Sequence, residues 1–451
     1  MADSLEQQVA TRLGQLTPGF TGITGMRRLS GGASRDTWLV ESAEQAVILR
    51  CDPQAAPRPE VMAREAAAYR VARRANLPVP TVLDAGDGSG VIKTPYLLME
   101  RLTGETIPRR LLRDARFAGI RSELPRRLGR LLAQVHAMPL GELPELEGGD
   151  PLVRLSKVYD ESGEPRPAIE LGLRWLAEHR PPAAQDHVVH GDFRNGNLMI
   201  DETGVRGILD WELVHRGDPV EDLGYLCVKA WRFGSAEPVG GFGAREELLA
   251  GYREVAGWCP DKSSLHWWEV YGTVRWAILC QWQAHRHLSG VEPSLELAVL
   301  GRRVAEQEHD ILLALGHTSP RQVVDPLTDA TSRPARAQPH DRPDAYHLIE
   351  QAAQFLTSEV VASAEEPLRY RARIATNALR IAQREMQLAG EQGPAHRRRL
   401  AGLGCHDETG LAQAIRAGSL DDRLDEVVRV VRETVTDKLL VANPPYLAQP
   451  A

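Results

Sequence analysis

The stretch VVHGDFRNGNLMI at residues 188–200, followed by GILDWE at residues 207–212, is the most informative part of the sequence. Apolar runs flank its polar centre, so the pattern predicts two strands that hold a rigid loop between them. The stretch offers a carboxylate at Asp192, an amide at Asn197 and, after the next strand, a second carboxylate at Asp210. Phosphoryl transfer needs a carboxylate to accept a hydroxyl proton and oxygen ligands for Mg²⁺. The stretch therefore indicates phosphoryl-transfer chemistry.

The pattern H-x-D-x-x-x-x-N, followed by I-L-D-W, resembles the aminoglycoside phosphotransferase and choline kinase superfamily, which is related to protein kinases. Two further segments, YLLMERLTGE at 96–105 and DPVEDLGY at 218–225, look like those of the kinase domains found joined to acyl-CoA dehydrogenases. The resemblance covers about residues 20–316. It implies an α+β, bilobal protein-kinase-like fold with a β-rich N-terminal lobe and a mainly helical C-terminal lobe.

The same resemblance implies roles for individual residues of the motif. It makes Asp192 the catalytic base, Asn197 a metal ligand and Asp210 the principal ligand of Mg²⁺. ATP or GTP is the implied phosphoryl donor, and a hydroxyl group of a small molecule is the acceptor. Arg194, two residues after the base, is in a position to neutralise charge on the transferring group.

In the N-terminal part, LSGGAS at residues 29–34 lies between two predicted strands and resembles the family's nucleotide loop. Small residues there let backbone N–H groups approach phosphate oxygens; the candidates are Ser30, Gly31, Gly32 and Ser34. Taken alone, the segment also fits a plain hairpin turn.

Arg50 occupies the position where kinases usually have the lysine that grips the nucleotide phosphates. An arginine keeps the charge but changes the geometry, because its fork is planar and bulkier. Glu65, on a predicted helix, is the expected carboxylate partner of this cation. By resemblance alone, the hinge that meets adenine runs from Glu100 to Leu102.

The chain is predicted to have four parts. Strand-like runs at about 23–29, 36–41 and 46–51 indicate a nucleotide-binding lobe over residues 1–103. Apolar residues at helical spacing indicate a helical catalytic and substrate lobe over 104–316. Residues 317–343 are rich in Pro, Asp, Ser and Arg without periodicity, which predicts a linker. Residues 344–451 are predicted to form a helical bundle.

Composition excludes several classes of function. A net charge of -7 gives no basic footprint for nucleic acid. Five scattered cysteines, none in a C-x-x-C pair, disfavour a disulfide framework or a zinc site. No apolar run is long enough to span a membrane and the N-terminus lacks a secretory pattern, so a cytoplasmic location is expected. Only five of the 54 basic residues are lysine.

An alternative interpretation is a catalytically weak pseudokinase that binds nucleotide and recruits a partner, or self-associates, through residues 344–451. Arg50 and the glycine-poor loop favour it, whereas the retained Asp192, Asn197 and Asp210 oppose it. Protein-kinase activity is disfavoured because residues 211–217 lead almost directly into the next helix. The resemblance favours a hydroxyacyl or similar metabolite as acceptor over a polycationic aminoglycoside.

Overall fold

The computed structural model describes residues 4–29, 35–53, 56–161, 164–328 and 341–450. Its N-terminal lobe is a five-stranded antiparallel sheet in the order β1-β2-β3-β5-β4. The elements of this lobe are α1 (Leu5–Leu16), β1 (Ile23–Arg28), β2 (Asp36–Ser42), β3 (Ala46–Cys51), α2 (Pro59–Arg74), β4 (Val82–Asp87) and β5 (Pro95–Glu100).

The pleat of strand β3 directs its side chains to two different cores. Val47, Leu49 and Cys51 are buried in the cluster that also contains residues of α1. Ile48 and Arg50, which alternate with them, face the opposite side, where Ile48 packs against the main core of the molecule. This alternation directs the guanidinium of Arg50 toward α2 and the second lobe.

The second lobe is mainly helical and contains two short two-stranded sheets. Strand β6 pairs with β9, and β7 pairs with β8, both antiparallel. The elements are α3 (Pro108–Arg113), α4 (Ala118–Arg121), α5 (Leu124–His136), α6 (Pro151–Glu161), α7 (Pro167–Glu178), β6 (His187–Val189), β7 (Leu198–Asp201), β8 (Gly204–Ile208), β9 (His215–Gly217), α8 (Val220–Cys227), α9 (Arg245–Ala256), α10 (Lys262–Leu288), α11 (Leu295–Arg302) and α12 (Val304–Ala314).

Helices α5 and α9 approach each other closely at two glycines. A Cβ on Gly251 would lie 1.9 Å from the carbonyl oxygen of Arg126, and a Cβ on Gly129 would lie 2.0 Å from that of Leu248. Gly251→Ala is therefore expected to lower the free energy of unfolding by about 1–3 kcal/mol, because the helices must separate. Gly119→Ala is the control, since its Cβ would meet no described atom within 4 Å. Equal denaturation midpoints for the two variants would contradict this packing.

The C-terminal unit, defined as residues 341–450, is a helical layer on the second lobe. Its elements are α13 (Ala345–Phe355), α14 (Val361–Ser363), α15 (Leu368–Gly402), α16 (Glu408–Arg416), α17 (Leu424–Ala442) and a final 3₁₀ turn (Pro444–Ala448). With the sheet and the helical lobe, this unit confirms the predicted fold class. No helix in the described part of the chain is long and apolar enough to cross a membrane.

The core of the C-terminal unit is continuous with that of the helical lobe. One buried cluster joins α7 and α12 to α15, α16, α17 and the final turn; it includes Ala168, Leu171, Ala305, Leu312, Leu400, Leu411, Ile415, Val427, Val431, Val435, Leu439 and Tyr446. A described residue of the predicted linker contacts the C-terminal unit: Arg384 donates to both carboxylate oxygens of Asp325 at 2.8 and 2.7 Å. The rest of that linker, residues 329–340, lies outside the described residues.

His309, on α12 at this junction, gives the fold a dependence on pH. Its side chain is buried, and burial, with the nearby charges of Lys229 and Arg321, lowers its pKa from 6.5 to about 4. The unfolded chain therefore takes up a proton below pH 6.5 that the folded chain does not. We expect the free energy of unfolding to fall by up to about 3 kcal/mol as the pH drops from 6.5 toward 4.

The measurement is denaturation at several pH values for the wild type, His309→Gln and His406→Gln. His406 is the matched control because its side chain is 99% exposed. His309→Gln should flatten the dependence between neutral pH and pH 4, and His406→Gln should leave it unchanged. An equally steep dependence in His309→Gln would contradict this explanation.

Candidate active site

The motif loop, defined as residues 190–197, connects β6 to β7 and is held in place from α8. The buried carboxylate of Asp222 accepts the backbone N–H groups of His190 at 2.7 Å and Gly191 at 2.9 Å. His136 Nε2 lies 3.1 Å from the same carboxylate. Burial opposes the charge, but the hydrogen bond and charge of His136, together with His190, keep the pKa of Asp222 below its ordinary value. Asp222 thus fixes the entry of the loop as an ionised acceptor.

His190 links the motif loop to the end of strand β8. Its Nδ1 accepts the backbone N–H of Asp192 at 3.2 Å, which leaves Nε2 to donate to the carbonyl oxygen of Leu209 at 3.1 Å. The ring is buried against Trp211, and burial lowers its pKa. A neutral, fully buried His190 therefore braces the loop from within.

The carboxylate of Asp192 is oriented by two residues of the same loop. Arg194 Nε donates to Asp192 Oδ1 at 3.0 Å, and Asn197 Nδ2 donates to Oδ2 at 2.6 Å and to the backbone carbonyl at 2.9 Å. The side chain of Asp192 is 16% exposed, so it is still accessible to solvent. Because these bonds use the amide nitrogen of Asn197, the amide oxygen is the atom left to bind a cation.

Asp210 follows strand β8 in a left-handed conformation, with φ 64° and ψ 65°. Its backbone N–H donates to Tyr69 Oη at 2.9 Å, and its Oδ1 accepts from Arg50 Nη2 at 2.7 Å. Burial opposes the charge, but the attraction of Arg50 lowers the pKa of Asp210. Burial and the charge of Asp210 raise the pKa of the neighbouring Glu212. A non-glycine residue held in this conformation is a sign of a functional position.

The structure brings together the sequence-predicted pair of Arg50 and Glu65. Glu65 is fully buried on α2, and its two oxygens accept from Arg50 Nη1 and Arg35 Nη1. Arg35 also donates to Asp52 Oδ1 at 2.9 Å. Arg50 consequently bridges Glu65 in the N-terminal lobe and Asp210 in the second lobe, so this one side chain ties the two lobes together.

Sequence reasoning missed two residues of this network. Tyr69 stands four residues after Glu65 and hence on the same face of α2, a spacing that could have indicated a shared role. Arg35 carries no comparable signal, because its importance arises from burial beside two carboxylates that are distant in sequence.

Of the other predicted nucleotide contacts, the structure describes Glu100 and Leu102. Ser30, Gly31, Gly32 and Ser34 lie outside the described residues. Glu100 ends strand β5, and Leu102 packs against Gly207 of the β7–β8 hairpin. Just beyond, Glu105 and Ile200 exchange backbone hydrogen bonds of 2.8 and 3.0 Å. The segment from Glu100 to Glu105 is therefore the junction at which the first lobe joins the hairpin of the second.

The donor set fits Mg²⁺ bound together with a nucleotide. Mg²⁺ is usually held by one or two protein oxygens, with phosphates and water completing its octahedral shell. The lowered pKa of Asp210 favours its ionised form. The side chain of Asn197 uses its nitrogen in hydrogen bonds to Asp192, so its amide oxygen can face a cation. Leu209 N donates to Asn197 O at 2.8 Å, so the two candidate ligands are neighbours in space. In the described ranges, no cluster of three or more His, Cys, Asp or Glu side chains could hold a metal by itself.

A sheet lobe, a helical lobe and the motif loop between them define the class of small-molecule kinases. The chain belongs to the phosphotransferase enzyme family, whose pattern matches residues 25–258. Residues 362–446 match a domain of unknown function, DUF6285. These matches and the fold confirm the family resemblance found in the sequence.

Among similar proteins, acyl-CoA dehydrogenase family member 10 of Mus musculus is 29% identical over 254 residues, which are 52% of this chain and 23% of that protein. Viomycin phosphotransferase of Streptomyces vinaceus is 24% identical over 241 residues, 50% of this chain and 75% of that protein. A crystal structure from Ralstonia eutropha, described as an aminoglycoside phosphotransferase, has a TM-score of 0.56 at 22% identity and covers 69% of this chain and 98% of its own. The likeness to that structure concerns the fold alone.

Proposed function

We propose that this protein transfers the γ-phosphoryl group of ATP or GTP to a hydroxyl group of a small molecule. The proposal rests on one observation about three side chains. Asn197 donates to Asp192 and lies beside Asp210. Arg50 bridges Asp210 to the buried Glu65. These are the parts that phosphoryl transfer requires: a base, oxygen ligands for a cation and a cation for the phosphates.

In this mechanism Asp192 accepts the proton of the acceptor hydroxyl as the hydroxyl oxygen forms a bond to the γ-phosphorus. The bond between the γ-phosphorus and the bridging oxygen breaks, and the nucleoside diphosphate leaves with that electron pair. Asn197 and Arg194 hold the Asp192 carboxylate in one orientation, which lowers the entropic cost of reaching the transition state. Bound Mg²⁺, held by Asn197 and Asp210, would supply positive charge that offsets the phosphates.

The acceptor is proposed to be a hydroxyacyl metabolite. Support comes from the relatives, several of which are named acyl-CoA dehydrogenase family members. The matched part of this chain spans about a quarter of the length of the first two, so their whole activities are not carried over.

A second candidate function is a pseudokinase that binds nucleotide without transferring phosphate. One observation favours it: Arg50 donates to Asp210 Oδ1, an oxygen that the proposed metal site would use. Both candidates bind nucleotide, so turnover is the property that distinguishes them.

The test is incubation with Mg²⁺, γ-labelled ATP or GTP, and a panel of hydroxyacyl thioesters, free hydroxy acids and viomycin. Label that moves to one hydroxylated compound, in the wild type but not in Asp192→Asn, is the expected result. Nucleotide binding without transfer to any compound would favour the pseudokinase instead. Label on viomycin alone would overturn the proposed acceptor class while leaving the phosphotransferase proposal intact.

A further inference from the structure

A buried cluster of three residues connects the end of the chain to the helical lobe. Tyr446 Oη, in the final 3₁₀ turn, donates to Asp310 Oδ2 at 2.6 Å, and Asp310 Oδ1 accepts from Lys229 Nζ at 2.9 Å. Lys229 Nζ also lies 3.8 Å from the centroid of the Tyr446 ring. The exposed fractions are 6% for Tyr446 and 3% for Asp310, and 8% for the side chain of Lys229. We call these three residues the Tyr446 cluster.

The Tyr446 cluster continues into the turn that follows α8. Lys229 begins a 3₁₀ turn, Lys229–Arg232, that contains Trp231. The carbonyl oxygen of Trp231 accepts from Asn195 Nδ2 at 2.7 Å, and the guanidinium of Arg194 lies 4.7 Å from the centroid of the Trp231 ring. Asn195 and Arg194 both belong to the motif loop, and Arg194 also donates to Asp192.

These contacts form a continuous path from the C-terminal unit to the motif loop. Each member is buried or half-buried, and Lys229 and Trp231 share one turn. Displacing Tyr446 removes the hydrogen bond to the buried Asp310 Oδ2 and the ring over Lys229, and an unpaired buried polar atom is costly. Lysine is rare in this arginine-rich chain, yet the cation that lies over the ring of Tyr446 is a lysine. A compact ammonium on an aromatic face is a favourable arrangement for a desolvated cation.

We infer that the C-terminal unit positions the motif loop through the Tyr446 cluster, and that Tyr446 is a positioning residue for phosphoryl transfer. Other contacts between the same unit and the helical lobe end elsewhere. Arg416 on α16 donates to Glu170 on α7 at 2.7 Å and to Asp160 at 2.9 Å. Removing Arg416 therefore weakens the same junction without touching the path to Trp231, which makes it a matched control.

The experiment measures amide hydrogen exchange in the full chain for the wild type, Tyr446→Ala, Tyr446→Phe and Arg416→Gln. In Tyr446→Ala, amides of residues 192–198 and 228–232 are expected to exchange faster by about tenfold or more, because local opening becomes easier. Arg416→Gln should leave those two segments at wild-type rates. Tyr446→Phe keeps the ring over Lys229 and loses only the hydrogen bond to Asp310, so its exchange rates should be intermediate. If Tyr446→Ala does not fold, the exchange rates of Tyr446→Phe test the inference alone.

Unchanged exchange in both segments for Tyr446→Phe and Tyr446→Ala would overturn the inference, and so would equal acceleration in Arg416→Gln. A second readout rests on the proposed function: in Tyr446→Phe, kcat for transfer should fall while KM for the nucleotide stays constant. A loss of nucleotide affinity would contradict a positioning role. If the wild type transfers no phosphate, the proposed function fails, and the exchange measurement still decides this inference by itself.

Discussion

Asp192→Ala is expected to lower the rate of phosphoryl transfer by about 10²–10⁴-fold, because the group that orients the acceptor and takes its proton is removed. Nucleotide affinity should stay within about twofold of the wild type, since the carboxylate of Asp192 is proposed to face the acceptor and not the phosphates. Steady-state kinetics and nucleotide titration of the same preparation measure both quantities.

The control for this variant is Asp201→Asn. Asp201 ends strand β7 and accepts the backbone N–H of Thr203 at 2.8 Å, so it is a nearby carboxylate with a turn-stabilising role. It should retain the wild-type rate. A wild-type rate in Asp192→Ala would remove Asp192 from the mechanism, whereas equal losses in both variants would indicate general damage to the hairpin.

Asp222→Ala is expected to have the largest effect on stability, about 3 kcal/mol or more. The substitution leaves the buried N–H groups of His190 and Gly191 without an acceptor, at about 1–3 kcal/mol each, and removes the partner of His136 Nε2. Transfer activity should be lost as well, because the motif loop loses its anchor. Denaturant unfolding with a two-state fit measures the stability change.

Asp222→Asn provides the matched comparison, since it keeps one acceptor oxygen in the same place and should recover part of the loss. The pH dependence has a defined sign. Because the folded chain lowers the pKa of Asp222 below 3.8, its contribution is fully present above that value and is lost as the pH falls through the lower folded pKa. Equal stability of Asp222→Ala and the wild type near neutral pH would contradict the anchoring role.

Local patterns in the sequence predicted most of the first lobe. The expected strand at 46–51 corresponds to β3 (Ala46–Cys51), and the predicted helix that carries Glu65 is α2 (Pro59–Arg74). Alternation and helical spacing report directly on such elements. Strand β9 (His215–Gly217) was not predicted, because three residues are too few to establish a period.

Long-range packing could not be predicted in the same way. Helix α15 runs for 35 residues through Pro394, a residue that normally ends a helix pattern. The sequence predicted helices over residues 344–451, but not that α7 and α12 cover the buried face of α17. A period identifies which residues of a helix are buried, and only the tertiary structure identifies their partners.

The residues of the candidate site likewise include some that local sequence patterns predict and others that only the tertiary structure identifies. Asp192, Asn197 and Asp210 lie in one contiguous motif, so their spacing could be compared with that of a known family. The buried partners Arg35 and Tyr69 come from other elements and act through contacts that close only in the folded chain. The role of each of the three motif residues stays a prediction until it is measured.

The most direct test of the central claim is thermal unfolding with ATP or GTP, with and without Mg²⁺, on the wild type, Asp210→Ala and Asp201→Asn. A ligand at a hundredfold excess over Kd stabilises the folded state by about 2.7 kcal/mol. We expect a Mg²⁺-dependent rise in Tm for the wild type and for Asp201→Asn, and no such rise for Asp210→Ala, each compared with its own ligand-free value. No rise with either nucleotide, or a rise that neither Mg²⁺ nor Asp210 affects, would overturn the proposed nucleotide site.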